Sequence, residues 1–225
     1  MSVVPPQTDR PVRVAIVDDD KMIHSLLEQL LLAGGFDVVG HAYDGDQVPE
    51  LISAHRPDVV LMDLRMERVD GIAATRALRS RPNPPGVIAL TSFDSQASIL
   101  DAVDAGAGGF LAKDAGPAEI FAAIRSVANG DAMLSPRATR VVMDQRALSQ
   151  GDQRSRAAAA ILATLTERER DVVALVVSGR SNQEIADELF IGQATVKTHV
   201  KGAMEKFGVT NRVSLAVAVS HAQAL

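Results

Sequence analysis

Cysteine is absent from the 225 residues, which removes disulfide frameworks, thiolate metal sites and cysteine nucleophiles at once. No run reaches the roughly 18 uncharged apolar residues that a membrane span requires. The opening MSVVPPQTDRP has neither the basic flank nor the apolar stretch of a secretory signal. Together these absences predict a reducing, cytoplasmic location and no membrane partner. Nucleotide-binding and serine-hydrolase signatures are missing too. There is no P-loop and no nucleophile elbow, and Gly106-x-Gly108-Gly109 precedes an apolar run instead of following one, against the dinucleotide fingerprint.

What remains is an ordinary globular composition, 47% hydrophobic and 23% charged. At about 150 residues per domain, the length predicts one or two domains. The net charge of -5 is unevenly spread. Residues 1–130 carry 11 Lys+Arg against 18 Asp+Glu, whereas residues 131–225 carry 12 against 10. An acidic front and a mildly basic back imply different partners. The basic excess gathers in 193–212, where Lys197, Lys201, Lys206 and Arg212 face Glu205 alone.

The front half alternates apolar runs with helical patterns. VRVAIV (12–17), VVLM (59–62), VIAL (87–90) and GFLA (109–112) are near-continuous apolar runs, and FDVVGHA (36–42) is a more polar one. Such runs fit strands of a parallel sheet covered on both faces. Helical stretches are expected near 20–33, 45–55, 70–80, 94–105 and 117–129, with Gly34-Gly35, Asn83-Pro84-Pro85-Gly86 and Gly116-Pro117 as breaks. Five βα repeats predict an α/β fold with a doubly wound, five-stranded parallel sheet. Residues 131–162 read as a linker. Within it Ser135-Pro136 offers a helix start, SQGDQRSR (149–156) is polar and expected to be mobile, and AAAAILATL (157–165) has high helix propensity. From 163 to 225 the pattern is all-α. Thr166-x-x-Glu169 and Ser181-x-x-Glu184 form capping boxes, and four helices are expected near 167–178, 181–189, 193–207 and 211–223.

The sheet assignment has a chemical consequence. Asp18 and Asp19 end the first strand, Asp63 the third, Thr91 the fourth and Lys113 the fifth. Ligands of open α/β sheets bind beyond the carboxyl ends of the strands. One rim therefore receives three carboxylates, a hydroxyl and an ammonium. Clustered carboxylates call for a proton or a cation among them, and an all-oxygen donor set favours Mg²⁺. A carboxylate can itself attack phosphorus to give an aspartyl phosphate.

VAIVDDD, DVVLMDLRM, IALTS and GFLAKD resemble the receiver domain of two-component response regulators over residues 10–130. The resemblance implies a flavodoxin-like fold with Asp63 as phospho-acceptor. It implies Mg²⁺ held by Asp19, by Asp18 through water, by Asp63 and by the backbone carbonyl of Arg65. Thr91 would bond the phosphoryl group, Lys113 would pair with it, and Phe110 stands at the switch-aromatic position. One departure is Glu67, where the family usually has proline, which leaves the loop less rigid and more acidic. Asp20 is expected to cap the first helix, and His24, His41 and His55 read as ordinary helix or surface histidines. A phosphatase is the competing reading. Asp18-x-Asp20 after an apolar strand resembles the nucleophile motif of haloacid dehalogenase-type phosphatases. That motif wants Thr or Val at position 22, which is Met22, and Gly45-Asp46 through Glu50 comes too early for its second acidic motif. No enzyme is expected.

In the back half, Val196, Val200, Met204 and Phe207 form one helical stripe, and Thr195, Lys197, Thr198 and Lys201 lie opposite. A buried stripe backed by a basic, hydroxyl-bearing face suits a DNA major groove. The string from LTERERD to GVTNR, above all SNQEIA and ATVKTHV, resembles the LuxR/NarL-type helix-turn-helix over 163–225. The resemblance implies that Lys197, Thr198 and Lys201 face bases or nearby phosphates, with Thr195 and Asn182 on phosphates. The last helix would be the dimerisation element, through Val213, Ala216, Val217 and Ser220. Gly192 replaces a common serine cap. Gly202 costs the recognition helix roughly 1 kcal/mol against alanine, predicting a helix that firms up on DNA. The expected whole is a NarL/FixJ-type response regulator that a sensor histidine kinase phosphorylates and that binds promoter DNA as a homodimer. The alternative is an atypical receiver that controls DNA binding independently of phosphorylation.

Overall fold

A computed structural model describes residues 10–91, 96–134, 138–142 and 152–222. Strands β1 (Arg13–Val17), β2 (Asp37–Ala42), β3 (Val59–Asp63), β4 (Gly86–Thr91), β5 (Gly109–Ala112) and β6 (Met133–Leu134) form one parallel sheet in the order β2-β1-β3-β4-β5-β6. Five of these are the expected strands. The sixth is two residues pairing with Gly109 and Phe110, too short to leave an apolar run in the sequence.

Helices α1 (Lys21–Ala33), α2 (Val48–His55), α3 (Gly71–Arg79), α4 (Gln96–Ala105) and α5 (Pro117–Ala128) cover the two faces. Strand side chains alternate between those faces, which is why the inner strands are apolar throughout. Val14 and Ile16 of β1, with Val59 and Leu61 of β3, pack with Leu27, Leu31 and Ile124. Ala15, Val17, Val60 and Met62 point the other way, toward Leu51, Ile52 and Leu78. Asp20 caps α1 by accepting from the Met22 amide at 2.8 Å, as expected.

The second half is α6 (Asp152–Ala163), α7 (Glu167–Val177), α8 (Asn182–Leu189), α9 (Gln193–Phe207) and α10 (Arg212–Ala222). The backbone of 152–156, expected as mobile linker, is helical. The Ser135-Pro136 helix start lies outside the described residues, although 138–142 are helical. Both capping boxes form, Thr166 with Glu169 and Ser181 with Glu184. Val172, Val176, Ile185, Val196, Val200, Leu215 and Val219 make the common core. Between α8 and α9 the chain turns through Phe190, which caps α8 in the left-handed region (φ 54°). No described helix is long and apolar enough to cross a membrane.

Gly202 has a packing reason. A Cβ there would stand 3.0 Å from Oε1 of Glu169, whose other oxygen accepts from the Lys206 ammonium at 2.6 Å and from the Thr166 amide at 2.8 Å. The helix runs unbroken past this glycine. The missing side chain makes room for the capping carboxylate of α7.

Candidate functional site

Three strand ends deliver the acidic rim. Asp18 follows β1, Asp63 closes β3, and Lys113 follows β5. The Lys113 ammonium lies 2.7 Å from Asp18 Oδ2 and 3.1 Å from Asp63 Oδ2. Asp18, Asp19 and Asp63 each bring a carboxylate oxygen within 4.8 Å of the others. Asp18 and Asp63 are buried, and Asp19 is exposed. Burial pushes the Asp63 carboxyl above its ordinary range; the Asp18 charge adds to this, and Lys113 with the Arg65 backbone N–H works against it. Burial also disfavours the Lys113 ammonium, but its bond to Asp18 and the charges of Asp63 and Asp18 prevail and raise its pKa. Beyond the Lys113 ammonium, Asp18 Oδ2 accepts from no donor among the described residues. A buried carboxylate cluster holding one ammonium and an under-satisfied oxygen fits a small hard cation.

The rim extends to the expected switch. Thr91, 3% exposed, ends β4 beside β5, and its neighbour across the sheet is Ala112. Phe110 is fully buried and packs in one cluster with Leu64, Ala89, Ile99 and Val103.

Two features escaped the sequence. His24 is a helix histidine, on α1, but a buried one, and its Nε2 lies 2.7 Å from the Asp18 carbonyl. That oxygen only accepts, so Nε2–H donates, and the ring's Nδ1 shares a hydrogen bond with His41 Nδ1 at 2.8 Å. Burial, with His24 nearby, lowers the His41 pKa, and Glu28 opposes the shift. The pair braces the β1 end from outside the rim. Asp44, after β2, is the second feature: its buried carboxylate accepts from the amides of Arg68 and Val69. Neither residue lies near its partner in sequence, and no local motif marked them.

On the helical half, Val196 and Val200 are buried, while Thr195, Lys197, Thr198 and Lys201 are exposed on α9. Asn182 is elsewhere. It is 1% exposed, and its backbone N–H donates to Asp131 at 2.9 Å. Its side-chain amide donates to the Asn129 carbonyl at 2.8 Å and accepts from Arg212 at 2.7 Å. Asp131 and Asn129 follow α5, so these bonds join the two halves of the chain. Burial raises the Asp131 carboxyl above its ordinary range, against the Asn182 amide and the charges of Arg212 and Lys197. Asn211 reaches the Val103 carbonyl of α4 at 2.7 Å, and Arg79 of α3 bonds the Thr210 carbonyl. Val213 of α10 packs into the Phe110 cluster. Val213, Ala216, Val217 and Ser220, expected as a dimer face, border a cleft of about 360 Å³ shared with Asp131, Ala132 and Leu134 of the first half.

Comparison with known proteins agrees with this organisation. Residues 14–125 match the response regulator receiver domain, and residues 163–219 match the bacterial regulatory proteins of the luxR family. The chain is 38% identical over 210 residues to a probable transcriptional regulatory protein NarL of Mycobacterium tuberculosis, spanning 93% of each. It is 36% identical over 207 residues to the transcriptional regulatory protein LiaR of Bacillus subtilis, covering 92% of this chain and 95% of that one. Among solved structures it resembles the response regulator ChrA of a heme-sensing two-component system, with 33% identity, a TM-score of 0.52 and coverage of 96% and 99%. A parallel α/β receiver followed by a LuxR-type helix-turn-helix places the chain in the NarL/FixJ family of two-component response regulators, a family of transcriptional regulators.

Proposed function

We propose that Asp63 is the phospho-acceptor through which a sensor histidine kinase controls promoter binding by this chain. The division of labour is a receiver at 10–130, a linker at 131–162 and a DNA-binding domain at 163–225. The observation that carries the proposal is Lys113, whose ammonium sits within 3.1 Å of both Asp18 and Asp63. One Asp63 oxygen attacks phosphorus, the bond from phosphorus to the donor breaks, and the donor leaves with that electron pair. Lys113 exchanges its carboxylate partner for a phosphoryl oxygen, and the Thr91 hydroxyl donates to another. Asp18, Asp19, Asp63 and the Arg65 carbonyl would hold Mg²⁺, which supplies positive charge against the phosphoryl oxygens. The reaction ends at one equivalent on the protein, so the chain is a substrate of transfer and not an enzyme.

The interdomain contacts suggest what phosphorylation changes. In the closed arrangement Asn182 is unavailable to DNA phosphates, and the small-residue face of α10 is turned toward the receiver. Drawing Thr91 toward a phosphoryl group frees space for Phe110, whose cluster includes Val213. The closed population falls, and α10 becomes free to pair with a second copy. Lys197, Thr198 and Lys201 then read the groove, with Thr195 and Asn182 on phosphates.

The test is intact mass after acetyl phosphate treatment, with and without Mg²⁺. One phosphoryl adduct is expected in wild type with Mg²⁺, and none in Asp63→Asn. Equal capture by the variant overturns the assignment. Promoter binding that ignores the adduct would favour the phosphorylation-independent alternative.

A further inference from the structure

The segment 64–70 joins β3 to α3 and carries Arg65, whose backbone N–H donates to the Asp63 carboxylate. Its ends are pinned. Leu64 donates to the Leu90 carbonyl at 3.2 Å, and Gly71 donates to the Leu64 carbonyl at 3.1 Å. The latter approach is so close that a Cβ on Gly71 would fall 1.9 Å from the Asp63 carbonyl oxygen. Between these pins nothing covalent stiffens the chain, because position 67 is glutamate. Glu67 is exposed, and its amide donates no hydrogen bond among the described residues.

The stiffening comes from a different loop. Asp44, 3% exposed, accepts from two adjacent backbone amides of the distant loop, Oδ2 from Arg68 and Oδ1 from Val69, both at 2.9 Å, and also from the Asp46 amide of its own loop. The Arg68 side chain folds back, its Nε 3.5 Å from Asp44 and its Nη1 2.7 Å from Asp46. Gly45 completes the dock. Its amide donates to the Val69 carbonyl at 3.2 Å, and a Cβ on it would meet that oxygen at 2.3 Å. Two adjacent amides captured by one buried carboxylate restrain the backbone of 68 and 69. A charged acceptor is needed. An amide in its place offers one oxygen and turns donors toward an N–H.

We propose that Asp44 is a positioning residue for phosphoryl uptake: it holds the loop after Asp63 in the shape that presents Arg65 to the acid rim, in place of a proline at 67. This rests on Asp63 being the acceptor and on Mg²⁺ joining it. Outer partners that orient a metal's ligands typically change affinity by about 10- to 100-fold when removed. Asp44→Ala therefore weakens Mg²⁺ binding by about 10-fold, the low end of that range, since Arg65 would contribute a single backbone ligand.

Backbone amide shifts of the unphosphorylated full-length chain, titrated with Mg²⁺, give the affinity directly. Phosphoryl capture from acetyl phosphate, followed against Mg²⁺ concentration, gives a half-saturation value and a saturating rate. Asp44→Ala is expected to raise the half-saturation and leave the saturating rate near wild type. Asp44→Asn, which keeps the shape and one acceptor, falls between, and serves alone if the alanine variant does not fold. Adding Glu67→Pro to either variant is expected to recover Mg²⁺ affinity by stiffening the same loop covalently. Wild-type Mg²⁺ affinity in both Asp44 variants overturns the proposal, as does a loss that Glu67→Pro leaves unrepaired. Failure of the wild-type chain itself to shift with Mg²⁺ would instead sink the acceptor reading on which this one stands.

Discussion

Asn182, the first residue of the first helix of the helix-turn-helix, gives its backbone N–H to Asp131 of the receiver side at 2.9 Å, and Arg212 closes the triangle at 2.7 Å from Asn182 and 3.4 Å from Asp131. The residue expected on a DNA phosphate and a residue of the expected dimerisation helix are thus tied to one carboxylate. Burial sets the cost of untying them, because Arg212 is 9% exposed and desolvation lowers its pKa.

Asp131→Ala should open the molecule. It leaves a buried guanidinium short of its anion, a loss of about 1–3 kcal/mol in the closed form. At that scale the unphosphorylated variant binds promoter DNA about 10-fold more tightly than wild type. Small-angle scattering should show a larger radius of gyration. An unchanged radius with unchanged DNA affinity would mean that the contact does not restrain the domains.

Thr91→Ala should still take a phosphoryl group at Asp63 but transmit little. The hydroxyl that moves is gone, so Phe110 keeps its place against Ile99, Val103 and Val213. Dimerisation measured by analytical ultracentrifugation, before and after acetyl phosphate, checks this. A dimer shift equal to wild type contradicts the coupling.

Lys197→Ala and Lys201→Ala separate base reading from phosphate attraction. A lost base contact costs about 1–3 kcal/mol and relaxes specificity at one position. A lost phosphate contact weakens all sequences alike and lowers the salt slope by about one unit. Titrations on specific and scrambled duplexes at two salt concentrations distinguish them. Wild-type affinity in the double variant would exclude α9 from the groove.

Glu169 predicts an acid-side stability change. Its hydrogen bond to Lys206, reinforced by the Thr166 amide, holds its pKa at about 2, below the ordinary 4.5. A carboxyl with a depressed folded-state pKa stabilises fully above its unfolded value, and that contribution fades as pH falls from 4.5 toward 2. Glu169→Gln should lose that segment of pH dependence in urea unfolding of the α7–α10 unit. Lys206→Met should cost about 1 kcal/mol at neutral pH, by taking the ammonium from a carboxylate that keeps its bonds from Thr166. A pH profile identical to wild type in Glu169→Gln would refute the assignment.

Local rules carried much of the molecule. The strands of the sheet were legible as apolar runs because both faces of a parallel sheet are covered, so period-two alternation is masked by apolar residues on each side. The capping boxes at Thr166 and Ser181 were legible because a cap and its partner lie three residues apart. The acid rim followed from topology alone: strands that run parallel end at the same side, so Asp18, Asp63 and Lys113 had to converge. What sequence could not disclose are relations between distant residues with no spacing rule. Asp44 clamps Arg68 and Val69, His24 braces Asp18 with His41, and Asp131 grips Asn182 across the domains. Each is a polar side chain whose type fits many surface roles, and only burial beside one specific partner selects the role. Asn182 shows this most clearly. Its motif marked it for DNA, yet in the folded chain the same hydrogen-bonding groups are satisfied by the receiver side, because packing α10 against α4 and β5 sets Asn182 beside Asn129 and Asp131.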